Sequence, residues 1–318
     1  MMVYDCFPFF NEIDILNLRL HILDAYVDRF VIEEATVTFS GEPKELCFEK
    51  HKQLFAPFLH KIDYIVVADS PQGGTTHERD KYQKNQLAKG LKEAKPGDII
   101  MLSDVDEIPN PLKLKEIAAG FDPANIYHLA QRMFYCYLNM EEISGNLLSI
   151  TGEFPAVERR KWLGTKIFDI SAIPDTGIID IREFSPQDSR SIRIEDGGWH
   201  FGYMGGYGEK DVSRRIGVKV QAAAHQEYNS EDTLAEAADK LICGGDIFGR
   251  DARFIRVELD ESYPPYLREH EQEYEHLIMP PISAGYMCYR RIAMTVRRYL
   301  RKVMRRLKRI CKVKNMGE

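Results

Sequence analysis

Three carboxylates at the end of one apolar run are the residues of this sequence best suited to chemistry. Asp104, Asp106 and Glu107 follow the run Ile-Ile-Met-Leu. Because like charges this close repel each other, carboxylates at a strand end usually share a cation. An Asp-x-Asp pair suits Mg²⁺ or Mn²⁺ that bridges a diphosphate. An acidic, solvated turn that caps the next helix is the alternative, and the motif alone does not decide between them.

The segments around this motif predict an α/β fold. The apolar run predicts a buried strand, because a strand covered on both faces need not alternate. Strand-like and helix-like segments alternate before it, which predicts a mostly parallel central sheet with helices on both faces. In such a sheet, ligands bind at the carboxyl ends of the strands. The predicted strands are 2–7, 29–34, 61–68 and 98–102, and the predicted helices are 13–26 (capped by Asn11), 47–58 and 76–94.

The chain after residue 111 is less regular. We predict strands within 125–140 and 156–171 and helices at 212–225 and 233–243. Residues 195–206 mix acids, aromatic rings and glycines, which suits a sugar site because rings stack on sugar faces and glycine permits close approach. The alternative is a glycine-rich loop whose tryptophan belongs to the core.

Several function classes are excluded by missing patterns. No G-x-G-x-x-G follows the first strand and no P-loop lysine motif is present, so dinucleotide oxidoreductases and P-loop nucleotidases are poor fits. The six cysteines form no C-x-x-C pair, so we expect reduced thiols rather than zinc. No apolar run approaches the ~20 residues that span a bilayer. Residues 1–5 show no signal-peptide pattern, so we expect a cytoplasmic protein.

The net charge of −6 conceals a strongly basic C-terminal segment. Residues 286–318 contain 12 Lys and Arg and one acid, a charge of +11, which leaves −17 for the remainder. Apolar residues recur there every three or four positions, which predicts a basic amphipathic helix. Such a helix can attach peripherally to an anionic membrane surface. Docking of its apolar stripe on the acidic body and RNA binding are the alternatives. The predicted division is a domain at 1–270, a linker at 271–285 and this tail.

Several motifs together resemble glycosyltransferase family 17. The resemblance implies a GT-A-like fold, a UDP-sugar donor (UDP-GlcNAc in known members), a divalent metal (Mn²⁺ or Mg²⁺) and a glycan acceptor. From these residues we expect no membrane anchor or stem like those of the animal enzymes, and therefore an acceptor other than a mature N-glycan. No nucleic acid is expected as a partner. The motifs are YDCFPFFNE at 4–12, TFSG at 38–41, Glu78-Arg79 with 82–85, SDVDEIP at 103–109 and GWHF at 198–201.

The resemblance also implies inversion, which one in-line attack by an acceptor hydroxyl achieves while UDP leaves. Metal and nearby cations then neutralise the growing charge on the diphosphate. We assign the metal to Asp106 and Asp104, with His200 as a possible third ligand, and expect Glu107 to support them from behind. The predicted donor-binding residues are Pro8, Asn11, Glu12, Glu33, Glu34, Arg79, Lys84 and Asp104.

The acceptor side is assigned to the glycine-rich and tryptophan-containing segment. We predict Asp196 as the base that removes the acceptor proton, with Glu195 as the second candidate. Trp199 and Tyr203 are the predicted acceptor-binding residues. The weaker candidates are Glu153 and Glu227 as bases and His225 as a ligand.

Three other functions stay open at this point. A phosphohydrolase would use the first Asp of the pair as a nucleophile, although such enzymes carry the motif after their first strand. A nucleotidyltransferase would also use paired acids and metal. A non-catalytic, membrane-associated glycan-binding protein would bind donor or glycan without turnover.

Overall fold

A computed structural model describes residues 1–71, 73–147, 161–223 and 229–314 of the chain. The strands are β1 (Val3–Pro8), β2 (Arg29–Ala35), β3 (Ile62–Val67), β4 (Ile99–Leu102), β5 (Glu107–Pro109), β6 (Ile126–Tyr135), β7 (Met140–Glu142), β8 (Trp162–Asp169), β9 (Ser191–Gly202) and β10 (Phe254–Arg256). The α-helices are α1 (Ile13–Leu23), α2 (Cys47–His51), α3 (Thr76–Asn85), α4 (Pro111–Ala119), α5 (Val212–Ala222), α6 (Glu231–Ile242), α7 (Pro265–Glu269) and α8 (Ala284–Lys314). Short 3₁₀ helices are Lys52–Lys61, Gln86–Leu91, Ile170–Ala172, Ile178–Glu183 and Glu271–Leu277.

The described strands form one sheet in the order β10-β7-β6-β8-β4-β1-β2-β3, and β9 pairs with both β5 and β6. The predicted α/β fold is confirmed. Parallel pairing holds for the half β4-β1-β2-β3. The other half is mainly antiparallel, with β6 and β9 as its parallel pair. The prediction of parallel pairing therefore fails beyond β4, where strands such as β6 and β7 follow each other without a crossover helix.

Helices cover both faces of the parallel half, and β1 shows why. Val3 and Phe7 belong to the apolar cluster that contains the buried residues of α1. Tyr4 and Cys6 belong to a second cluster with Leu87 of the following 3₁₀ segment. Successive side chains of a strand point to opposite faces, so β1 is covered on both sides and sits near the centre of the sheet.

Two predicted helix boundaries are corrected. Asn11 does not cap α1, because the N-cap residue is Glu12, and its carboxylate accepts hydrogen bonds from the backbone N–H of Phe10 (3.2 Å) and of Asn11 (3.0 Å). The helix predicted to continue to residue 94 ends at Asn85 and tightens into a 3₁₀ helix. There, a Cβ at Gly90 would collide with Val31, so the glycine permits close packing on β2.

The glycine-rich segment at 195–206 is largely a strand rather than a loop. Its residues up to Gly202 belong to β9, which pairs antiparallel with β5 and parallel with β6. Gly198 has a φ of 129°, and a Cβ there would collide with the carbonyl oxygen of Ile108. The glycines therefore serve the close approach of two strands.

The chain after β10 returns to the core before it enters α8. Tyr274, Leu277 and Met279, which lie in the predicted linker, are each 2% exposed or less. The division into a domain, a linker and a tail stays a prediction. Within the residues that the structure describes, no helix combines the length and apolar character needed to cross a membrane.

Candidate active site

A cavity of about 360 Å³ lies where β1, β2 and β4 end. These strands are parallel neighbours, so their carboxyl ends meet at the same edge of the sheet, where ligands bind in α/β folds. Side chains from α3, β9 and α5 complete the lining. The cavity brings together eight of the predicted site residues: Pro8, Glu12, Glu33, Lys84, Asp104, Asp106, His200 and Tyr203.

A buried arginine on α1 fixes the backbone of the Asp-Val-Asp loop. The Nη1 of Arg19 donates to the carbonyl oxygens of Asp104 (3.2 Å), Val105 (3.2 Å) and Glu107 (2.8 Å). The same guanidinium makes two hydrogen bonds of 2.8 and 2.5 Å to Asp5 of β1. Both members of this ion pair are fully buried. Arg19 therefore holds the loop that carries the acids through three carbonyl oxygens, so the conformation of the loop is fixed before a ligand binds.

Asp104 is committed to two cations. Its carboxylate lies 3.1 Å from Lys84 Nζ and 3.4 Å from Arg182 Nη2. Burial alone would raise the pKa of Asp104, but Arg182 and Lys84 hold it well below its ordinary value. Asp104 is therefore an anion whose role includes positioning Lys84 at the cavity.

Glu107 is fully buried and supports the site from behind. It receives two hydrogen bonds from Arg182, of 2.6 and 2.7 Å, and one of 2.7 Å from Trp162 Nε1. It also accepts the backbone N–H of Asp104 at 2.9 Å. Burial opposes its ionisation, but Arg182 lowers the pKa of Glu107. Glu107 therefore holds the orientation of the neighbouring aspartate and is not directed at a ligand.

Asp106 makes weaker side-chain contacts than Asp104. Its oxygens lie 3.6 Å from His200 Nε2 and 3.8 Å from Lys219 Nζ, distances beyond a hydrogen bond. Burial raises the pKa of Asp106, although Lys219 and His200 oppose the rise. Lys219 is hydrogen-bonded to Glu12, and burial would lower its pKa, but Glu12 and Asp106 raise it. Lys219 therefore brings a fixed positive charge to the cavity.

Asp106 and His200 fit the needs of a divalent cation. Among the described residues, no hydrogen bond is donated to the carboxylate of Asp106, and the buried His200 Nδ1 has no partner. A carboxylate oxygen suits Mn²⁺ or Mg²⁺, and an imidazole nitrogen is a common ligand of metal ions in proteins. No group of three or more His, Cys, Asp or Glu able to hold a metal occurs in the part of the chain that the structure describes. A cation here would therefore need oxygen ligands from the bound substrate.

Part of the cavity wall is apolar. Phe10 and Phe39 both line it, together with Pro8 and Val37. A flat base could pack between such rings while cations at the rim face its phosphates. Lys84 Nζ, 5.6 Å from the Phe39 ring centroid, lies at the junction of the two regions.

Glu33 lies at this wall, at the end of β2. It is 2% exposed, and its Oε1 finds no hydrogen-bond partner in the described chain. Burial raises the pKa of Glu33 to about 8, although Lys44 and Lys84 oppose the rise. At neutral pH this carboxyl is therefore protonated and can donate a hydrogen bond.

Three predicted donor-binding residues do not line the cavity. Glu34 accepts the first two backbone amides of α2, at 2.6 and 3.0 Å, and pairs with Lys44 at 2.8 Å. Arg79 donates to the carbonyl oxygens of Phe39 (2.8 Å) and Gly74. Asn11 is beside Gly205, where an added Cβ would collide with it. These residues shape the loops around the cavity instead.

The predicted acceptor residues on β9 are on the other side of the sheet. His200 faces the cavity, so its neighbour Trp199 faces away; it is 6% exposed and belongs to the core. Trp199 and Asp196 line a separate cavity of about 600 Å³. Glu195 is exposed and pairs with Arg193 at 2.5 Å. The structure therefore does not bring these residues together with Asp104 and Asp106.

Arg19, Arg182 and Lys219 are functional residues that the sequence reasoning missed. Lys219 belongs to a predicted helix, and Arg19 to another, but neither pattern indicated a charge directed at the site. Arg182 is in a 3₁₀ segment without periodicity. The weaker candidates Glu153, Glu227 and His225 lie outside the described residues.

The sequence model of glycosyltransferase family 17 matches residues 1–143. This part of the chain is therefore similar to that family. The resemblance expected from the motifs is thereby confirmed. The match covers the strands β1 to β7, the Asp-Val-Asp loop and the described residues that accept hydrogen bonds from Arg19.

Curated relatives agree over a shorter stretch. The chain is 33% identical over 107 residues to the human and the rat β-1,4-mannosyl-glycoprotein 4-β-N-acetylglucosaminyltransferases. Each match covers 31% of this chain and 20% of the relative, so the chain matches about a fifth of those enzymes' length.

Solved structures are similar only at a low level. One is S. aureus TarS, residues 1–349, with 15% identity, a TM-score of 0.36, and coverage of 74% of this chain and 69% of that one. Another is the M. tuberculosis glucosyl-3-phosphoglycerate synthase in complex with Mn²⁺, UDP and glucosyl-3-phosphoglycerate, with 14% identity and a TM-score of 0.35. The latter match covers 62% of this chain and 70% of that one.

Proposed function

We propose that this chain is an inverting, metal-dependent glycosyltransferase that moves GlcNAc from UDP-GlcNAc to a glycan hydroxyl. The observation that carries the proposal is the pair Asp104 and Asp106 at one edge of a parallel sheet. Lys84 lies beside Asp104 and Lys219 beside Asp106, and all four residues line a cavity of about 360 Å³. The family match to residues 1–143 supports sugar transfer. The curated relatives are named as N-acetylglucosaminyltransferases, which supports GlcNAc as the transferred sugar.

The donor is divided between the two walls of the cavity. The base packs between the rings of Phe10 and Phe39, and the protonated Glu33 donates a hydrogen bond to one of its carbonyl oxygens. The diphosphate then lies towards Lys84 and Lys219, the cations that line the cavity. A charged group in this low-dielectric site neutralises the leaving diphosphate more strongly than it would in water.

Asp106 and His200 hold the divalent cation in this proposal. When bound, the metal supplies positive charge to the leaving diphosphate. Asp104, already paired with Lys84 and Arg182, keeps Lys84 in place and can accept a hydrogen bond from the ribose. Arg19 fixes the loop, so that little reorganisation accompanies the transfer.

The residue that accepts the proton from the acceptor hydroxyl stays a prediction. Asp196 remains the sequence-based candidate, although it lines the other cavity. Tyr203 lines the main cavity next to Tyr135, at a ring distance of 5.0 Å, and is a suitable acceptor contact there. Replacement of the candidate base by its amide separates proton transfer from binding.

The phosphohydrolase alternative is disfavoured by the state of Asp104. A nucleophilic carboxylate must have a free oxygen, but Asp104 is held by Lys84 on one oxygen and by Arg182 on the other. A nucleotidyltransferase and a non-catalytic binder are distinguished by their products. The first releases pyrophosphate from a nucleoside triphosphate, and the second releases nothing.

The test is a screen of nucleotide sugars for nucleotide release with added Mn²⁺, Mg²⁺ or a chelator. We expect UDP release from UDP-GlcNAc in the presence of metal. Asp106→Ala should lower that rate by about 10²-fold or more, because the site would lose a residue that holds the cation, and with it the positive charge that would neutralise the leaving diphosphate. Asp175→Ala, an exposed aspartate outside the cavity, is the matched control. Equal rates in folded Asp106→Ala and wild type would contradict the metal assignment, and no turnover with any donor would contradict the transferase.

A further inference from the structure

Helix α8 packs against the rest of the protein with its charged side. Its arginines pair with Asp232, Glu236 and Asp239 of α6, which are four and three residues apart and therefore share one face of that helix. Arg297 lies 2.7 Å from Asp239, and Arg298 lies 2.8 Å from Glu236. The arginines in these pairs are Arg290, Arg297, Arg298, Arg301 and Arg305.

The other side of α8 exposes large apolar side chains, which we term the apolar row. They recur every three or four residues, so they form one stripe along the helix. Their exposed fractions run from 50% at Val296 to 68% at Tyr299. Met294, at 9%, is the buried residue of α8 among those whose side chains the structure describes. The apolar row consists of Tyr289, Ile292, Val296, Tyr299, Leu300 and Met304.

This orientation is the reverse of the usual one. A helix on the surface of a globular protein normally turns its apolar stripe to the core and its charges to water. Large contiguous apolar surfaces that remain exposed are typical of sites that bind a protein or a membrane. Because the arginine side already faces α6, the rest of the described chain does not cover the apolar row.

The charges beside the apolar row favour an anionic lipid surface over a second copy of the chain. Lys302 and Arg306 are exposed and form no ion pair within the described residues. Lys302 follows Tyr299 by three positions, so it flanks the row. Two such helices placed face to face would bring basic side chains together, whereas phosphate and carboxylate headgroups would attract them. Tyrosines such as Tyr289 suit the level of the headgroups.

We propose that α8 lies in the surface of an anionic membrane, with its apolar row among the lipid chains and its arginine side kept on α6. At 1.5 Å per residue α8, with its 31 residues, is about 46 Å long, and the apolar row from Tyr289 to Met304 runs along about 22 Å of it. Helix α6 also packs against α5, which carries Lys219 into the cavity. The membrane surface is therefore one helix away from the wall of the candidate site. That this is a cytoplasmic membrane face stays a prediction.

The experiment measures co-sedimentation of the full chain with phosphatidylcholine vesicles, with and without phosphatidylserine. The row variant is Ile292→Ser, Val296→Ser and Leu300→Ser together. The matched control changes three exposed aliphatic residues outside α8 to serine: Leu54, Val66 and Ile255. The charge variant is Lys302→Gln with Arg306→Gln. None of these residues lines the main cavity, so UDP release in solution is the measure of intact folding and is expected to be unchanged.

The expected results separate the two contributions. The wild type and the matched control bind vesicles that contain phosphatidylserine, and the row variant does not. The charge variant loses about fivefold in affinity per replaced cation, on the order of 30-fold for both, and added salt weakens the wild type. Vesicle binding by the row variant equal to wild type would overturn the proposal. So would a wild-type dimer in ultracentrifugation that the row variant lacks, or binding to RNA with no binding to vesicles.

Discussion

Replacement of Glu33 by glutamine should change the way in which stability depends on pH. Glu33 is 2% exposed on β2, between β1 and β3, and burial raises its pKa from 4.5 to about 8. The folded protein therefore keeps a proton at neutral pH that the unfolded chain releases. Glutamine has nearly the same shape and carries no ionisable proton, so it reproduces the protonated state at every pH.

The sign of the effect follows from proton linkage. Between pH 4.5 and about 8, the folded state binds more protons at Glu33 than the unfolded state, so stability falls as pH rises through this window. At 1.36 kcal/mol per pH unit, the full rise in pKa corresponds to about 5 kcal/mol at most. Because the cavity beside Glu33 admits water, the effect can be smaller than this. We take a stability difference of about 1.4 kcal/mol, which corresponds to a shift of one pKa unit, as the smallest that agrees with the structure.

The assay is urea unfolding of wild type and Glu33→Gln from about pH 5 to about pH 9. The stability of the variant relative to wild type should rise across this range and level off above pH 8. Glu42→Gln, on an exposed loop, is the matched control and should follow the wild type throughout. A difference between Glu33→Gln and wild type that is the same at every pH would refute the assignment of a protonated Glu33.

Two further predictions concern the groups behind and beside the site. Arg182→Gln removes the bidentate partner of Glu107 and should lower the free energy of unfolding, measured with urea, by about 3–5 kcal/mol. Arg190→Gln, at an exposed arginine, is the control and should change it little. Equal values for the two variants would contradict the supporting role of Arg182. Asp196→Asn should keep donor binding, measured by UDP titration calorimetry, and lose transfer if Asp196 is the base. Unchanged transfer in Asp196→Asn would remove it from proton transfer and turn attention to the carboxylates of the main cavity.

The first half of the fold could be predicted because its signals are local. The strand predicted at 98–102 agrees with β4 to within one residue, and that predicted at 61–68 agrees with β3 to within one residue at each end. Parallel strands also place their ends together, which is why Glu33 and Asp104, 71 positions apart, meet at one cavity as expected. Sequence position and topology together were sufficient to predict that these acids lie at one site.

The cations of the site could not be predicted in the same way. Lys219 reaches Glu12 across 207 positions and Arg182 reaches Glu107 across 75, and no periodic pattern encodes such pairs. Trp199 lies away from the main cavity for a different reason. Once residues 195–202 are known to belong to a strand, the period of two alone places Trp199 and His200 on opposite faces. The glycines and charges of the segment concealed that strand.

The C-terminal helix shows that an amphipathic pattern predicts two faces but does not predict which of them packs against the rest of the protein. Its apolar stripe could have been expected to bury itself on the acidic body, since burial of a large apolar side chain is worth about 1.5–3 kcal/mol. The structure instead uses Asp232, Glu236 and Asp239 to hold the arginine side. Ion pairs at a protein surface are each worth about 0–1 kcal/mol, and burial of Glu236 (7% exposed) and Asp239 (2% exposed) adds a desolvation cost, so this contact gives up the larger source of stability. This arrangement is energetically favourable only if the apolar row is buried elsewhere. The proposed insertion into a lipid surface would bury it.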